Sequence, residues 1–72
     1  MESKKENFKR IATARTNKIV DMIALLGNLT NTSFYEYTDE QVNAMFDAIQ
    51  NELDEQRAKF SGETNKKKRF EL

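Results

Sequence analysis

Three carboxylates, Glu36, Asp39 and Glu40, crowd into the stretch YEYTDEQ, the kind of cluster from which a hard-cation site or an acid–base pair can be built. A calcium loop also needs oxygen ligands at set spacings around a central Gly and a distal Glu. This stretch has neither, so its carboxylates read as helix-start residues facing the positive end of a helix dipole. The chain has no His and no Cys. That removes the usual general base, the commonest transition-metal ligand, thiolate chemistry and any disulfide framework. Gly27 and Gly62 are isolated, so no glycine-rich phosphate cradle is present, and no Ser, Lys or Tyr has a base beside it to activate it. The expectation is a protein that is not an enzyme and uses neither metal nor cofactor.

Asn28-Leu29-Thr30 and Asn31-Thr32-Ser33 match the glycosylation acceptor pattern. The opening residues, MESKKENFKR, have charge but no apolar signal core, so these Asn and Thr residues read as turn formers and the expected location is cytoplasmic. The longest apolar run, IALLG, is far too short to cross a bilayer, and no membrane partner is expected.

Binding is the chemistry that remains. Twelve basic and twelve acidic residues cancel, but their distribution is uneven. Residues 1–37 hold six Lys/Arg against four Asp/Glu, net +2; residues 38–63 hold two against seven, net −5; residues 64–72 hold four against one, net +3. The first segment, with Lys4, Lys5, Lys9, Arg10 and Lys18 on its outer face, can meet phosphates with help from Lys66, Lys67, Lys68 and Arg69. The ordinary alternative is a solvated helix face and a solubilising tail. A purely solubilising tail has no use for Phe70 and Leu72, however, so the ending KKKRFEL also reads as a short motif that docks in an apolar groove or adds to a sheet edge.

These residues need elements to position them. From Lys4 to Leu26, Phe8, Ala12, Arg15, Ile19, Met22 and Leu26 recur at steps of four and three, with Ile11 and Ile23 widening the stripe, which predicts a helix. Gly27-Asn28 supplies its stop. From Asp39 to Phe60, Val42, Met45, Phe46, Ile49, Leu53, Gln56 and Phe60 predict a second helix. Thr38-Asp39-Glu40-Gln41 is a capping box for its start, and Ser61-Gly62 ends it. Residues 63–72 show no periodicity and are expected to be a flexible basic tail. A single domain over residues 1–62 follows, at a size where one core barely offsets chain entropy.

The fold class expected is all-α: an antiparallel two-helix hairpin that places Leu26 near Val42, Met22 near Phe46, Ile19 near Ile49 and Phe8 near Phe60. One seam is marginal at this size; either the connector folds back as a third element, or two hairpins pair into a four-helix bundle, a homodimer, which is the expected remedy. Arg15 interrupts the first stripe at the level of Glu52, Leu53 and Gln56. An ion pair with Glu52 answers its burial, with Asp21 or Glu55 as second choices; the simpler alternative is that Arg15 lays its methylenes along the stripe edge. Phe34, Tyr35 and Tyr37, three of seven aromatics, sit in the connector. They read as an ordered lid near Leu26, Leu29 and Val42, with Tyr37 as a hydrophobic staple against Gln41/Val42, or as a partner-facing patch. The connector is too long for a DNA-binding helix-turn-helix, whose turn takes about 3–4 residues.

The motifs RIATARTNKIVDMI, LGNLTN and YEYTDEQV carry a resemblance. Over about residues 7–60 the chain resembles small helical proteins of no assigned activity encoded on plasmids and integrative elements of Gram-positive bacteria, sharing an R-x-N-K-I helix, an L-G-N-L turn and a Y-E-Y-T-[DE] cap. The resemblance implies a bacterial, mobile-element origin and carries over no functional residue. The preferred function is a non-enzymatic helical protein that self-associates and offers its loop aromatics or tail to a larger protein. One alternative is a nucleic-acid accessory protein using the basic face and tail, which zero net charge disfavours. Another is an acidic regulator of a nucleic-acid-handling protein, using Asp39, Glu40, Asp47, Glu52, Asp54, Glu55 and Glu63.

Overall fold

A computed structural model describes residues 1–62. The described residues are all-helical: α1 spans Lys4–Gly27, a short 3-10 turn spans Asn28–Thr30, and α2 spans Asp39–Ser61. The chain divides into two compact units, the first Met1–Glu36 and the second beginning at Tyr37. Both helices were expected, and each runs one residue further than the periodicity implied.

In the first unit, α1 starts where Ser3 turns extended (φ −76°, ψ 167°) and its side chain takes over an orphan helix donor. Ser3 Oγ accepts from the Glu6 amide at 3.1 Å, and the Glu6 carboxylate accepts from the Ser3 amide at 3.1 Å, closing a capping box. Glu6 also sets one negative charge against Lys4 and Lys5, which stand unfavourably at the positive end of the helix dipole. A second restraint comes from Glu2, whose carboxylate accepts from Arg10 Nε at 2.9 Å and from Arg10 Nη2 at 3.0 Å. The same Nη2 donates to Asn7 Oδ1 at 2.9 Å.

The end of α1 is not a left-handed glycine stop. Gly27 keeps helical angles (φ −63°, ψ −24°), and the backbone tightens into the 3-10 turn. The Asn28 amide donates to the carbonyls of Leu25 and Leu26, and the Thr30 hydroxyl donates to the Gly27 carbonyl at 2.8 Å. Asn31 then organises a second turn. Its carbonyl accepts from the amides of Phe34 at 3.1 Å and Tyr35 at 3.0 Å, while its side chain accepts from the Ser33 amide at 3.0 Å. Ser33 and Phe34 of the run SFYEY lie in this turn, and residues 35–37 form neither helix nor strand.

In the second unit, the expected capping box is present. Thr38 Oγ1 accepts from the Gln41 amide at 3.1 Å, and Gln41 Oε1 accepts from the Thr38 amide at 2.9 Å. Asp39 and Glu40 occupy the first turn and Lys59 the last, both matched to the dipole. Tyr37 and Val42 hold the two staple positions on either side of this cap, and Val42 is half-buried. α2 ends on Gly62 in the left-handed region (φ 74°, ψ 10°), where its amide donates to the Ala58 carbonyl.

Candidate interaction surface

At 3.6 residues per turn, the first unit's apolar positions form one stripe along α1. Phe8, Ile19 and Met22 on this stripe are each more than half exposed, at 60%, 57% and 62%. Ile11, Ala12, Leu26 and, beyond the helix, Leu29 are half-buried. Side chains this apolar gain on the order of 25 cal/mol for each Å² removed from water, so the stripe is a face that favours a covering surface.

The cations of α1 are placed differently from the outer basic face expected of them. Lys9 and Lys18 border the stripe, and Lys4, Lys5 and Arg15 fall in line with its members. Arg10 is on the opposite face and is already engaged by Glu2 and Asn7. The surface around it, lined by Glu6, Lys9, Arg10, Thr13 and Ala14, is an open depression on one helix. Helical periodicity places these residues: a spacing of three sets Lys5 beside Phe8 and Lys9 beside Ala12.

Within its own unit, Arg15 makes no ion pair or side-chain hydrogen bond among the described residues. Its expected partner, Glu52, belongs to the second unit, where its carboxylate accepts from Gln56 Nε2 at 2.6 Å. One turn away Gln50 Nε2 donates to Asp54 Oδ1 at 2.9 Å. Both are i,i+4 pairs of the kind that hold exposed side chains along a helix.

The stripe of α2 mixes half-buried Val42, Met45 and Ile49 with exposed Phe46, Leu53 and Phe60. Among the described residues Ala58 alone is fully buried. The connector aromatics are all exposed: Phe34 at 78%, with Tyr35 and Tyr37 also accessible. The Phe34 and Tyr35 rings stand 6.4 Å apart and tilted by 59°, within the range of a favourable edge-directed pair. The tail residues singled out from the sequence, Lys66, Lys67, Lys68, Arg69, Phe70 and Leu72, lie outside the described residues.

Sequence reasoning overlooked two features of the first unit. The Ser3 capping box was signalled by Ser-x-x-Glu before an apolar run, the same code recognised at Thr38. The Glu2–Arg10 ion pair had no such signal, because eight positions, more than two helical turns, separate its partners.

No helix among the described residues is long and apolar enough to cross a membrane. No protein-family model, curated protein or solved structure matches the chain.

Proposed function

We propose that this is a small non-enzymatic interaction protein of the cytoplasm that works by covering the apolar stripes of its two helices. The observation that supports this reading is the exposure of Phe8, Ile19 and Met22 on α1 and of Phe46, Leu53 and Phe60 on α2, on helices with well-formed starts. An isolated helix of this length is marginal in water, and most helical stability in proteins comes from packing an amphipathic face. An antiparallel hairpin brings Met22 to Phe46, Ile19 to Ile49 and Phe8 to Phe60. Pairing of two hairpins into a four-helix bundle then covers Ile11, Ile23 and Met45 at the stripe margins. Arg15 meets Glu52 within that assembly, and Phe34, Tyr35 and Tyr37 are the anchors offered to a larger protein. The R-x-N-K-I, L-G-N-L and Y-E-Y-T-D motifs support an origin on a bacterial mobile element.

Sedimentation equilibrium of the full chain tests the core of the reading. Reversible, concentration-dependent dimers are expected, weakened at least tenfold by Ile19→Asp, since a charge on the stripe must be desolvated on pairing. A strict monomer up to high micromolar concentration removes self-association from the proposal.

A further inference from the structure

The stripe of α2 keeps a stricter order than an amphipathic helix needs. Phe46, Leu53 and Phe60 recur every seven positions, and Val42, Ile49 and Gln56 form a second line with the same repeat. Steps alternating between four and three, about 3.5 on average, are the repeat of a coiled-coil seam. All three members of the first line are exposed. At 3.6 residues per turn Glu40, Asp47, Asp54 and Glu55 lie on the outer face, away from both lines. The flanks of the seam carry both signs: Glu52 and Lys59 lie on one side, Arg57 on the other. Gln56, the polar member of the seam, already has an acceptor, since its Nε2 donates to Glu52 at 2.6 Å.

We propose that α2 pairs with the α2 of a second copy as a parallel, in-register coiled coil. The inference rests on the self-association reading and names its seam. In such a pair a flank residue faces the opposite flank of the other helix about five positions further on. Glu52 of each copy then meets Arg57 of the other, and a two-fold axis makes the contact twice. Asp39 stands on the line of Phe46, but at the helix's first residue, where it is exposed and water and salt screen it from its copy. The competing pairings lack this match. Turned antiparallel with their stripes fully overlapped, two α2 helices set Glu52 beside Glu52. Two α1 helices in the parallel geometry set Lys4 against Lys9 and bring Arg15 to Arg15 within the seam, a repulsion that selects against them. Laid head to foot on the other copy's α2, α1 gives Lys18 a partner in Glu52 but places Lys9 beside Arg57, one attraction against one repulsion. In the four-helix assembly the parallel pair sets the two α2 helices together at the axis and each α1 outside them, which keeps the cations of α1 apart.

The chain has no cysteine, so one introduced thiol reports on the seam alone. Val42→Cys and Gln56→Cys lie on the same line of the stripe, and in the parallel pair each thiol faces its own copy within disulfide reach. In a glutathione redox buffer both full-length variants are expected to form disulfide dimers at least about tenfold faster than Asp47→Cys, on the outer face. A second measurement exchanges the flank charges. Glu52→Arg and Arg57→Glu, made singly, are each expected to raise the dimer dissociation constant roughly three- to tenfold, and the two together to restore it. Failure of either thiol to cross-link faster than Asp47→Cys, or a double exchange no tighter than the single ones, overturns the seam and leaves self-association intact. Cross-linking of neither thiol in a chain that still dimerises overturns it in favour of α1 as the cover of α2. A wild-type chain that sediments as a strict monomer instead overturns the underlying reading, a result distinct from all of these.

Discussion

Gly27 and Gly62 both close a helix, yet replacing them with alanine is expected to move stability in opposite directions. Gly27 sits at φ −63° and ψ −24°, angles that any L-residue adopts, and a Cβ added there meets no atom within 4 Å. Alanine at that point gains helix propensity and loses unfolded-state freedom, together about 0.5–1 kcal/mol of stabilisation. Gly62 sits at φ 74° with equally open space around it. There the obstacle is the backbone itself, because the left-handed region costs an L-residue about 1–2 kcal/mol. The lower unfolded-state entropy of alanine returns part of this, leaving a net loss of roughly 0.5–1 kcal/mol. For a chain of this size about 1 kcal/mol corresponds to some 4–8 °C in Tm. Thermal melts followed by far-UV circular dichroism at one fixed protein concentration are therefore expected to place Gly27→Ala above the wild type and Gly62→Ala below it. Fixed concentration matters, since self-association adds to apparent stability. Equal shifts of the two variants, or a stabilised Gly62→Ala, would refute the assignment of right-handed and left-handed helix ends.

Removal of the Thr38 hydroxyl leaves the Gln41 amide without its acceptor, so Thr38→Ala is expected to cost about 1 kcal/mol and to speed amide exchange at Gln41 and its neighbours. Unchanged exchange there would show the capping box to be inert. Glu2→Gln removes the charge that Arg10 meets at 2.9 Å, but both side chains are substantially exposed. Its expected effect is below about 1 kcal/mol and vanishes at high salt, which melts at two ionic strengths will read. A larger or salt-independent loss would contradict a solvent-screened pair.

The two helices and most of their ends were legible without coordinates because the codes that specify them are short. An apolar step of three or four residues, or a Thr followed three positions later by Gln, involves neighbours within one helical turn. Ser3-x-x-Glu6 was equally legible by the same rule. In the connector Asn31 captures nearby amides, a local exchange that the aromatic content of SFYEY does not signal. The placement of the basic residues of α1 relative to its stripe follows from the same spacing and was equally legible.

Periodicity and caps, then, belong to the sequence alone: Lys4–Gly27 and Asp39–Ser61 form helices because local donors are satisfied and apolar residues repeat at helical spacing. Two things required the three-dimensional path. Identical glycines at two helix ends took opposite backbone hands: Gly27 keeps right-handed angles into the 3-10 turn, and Gly62 is left-handed. Glu2 reached Arg10 across eight positions, a pairing that no spacing rule within one turn can encode.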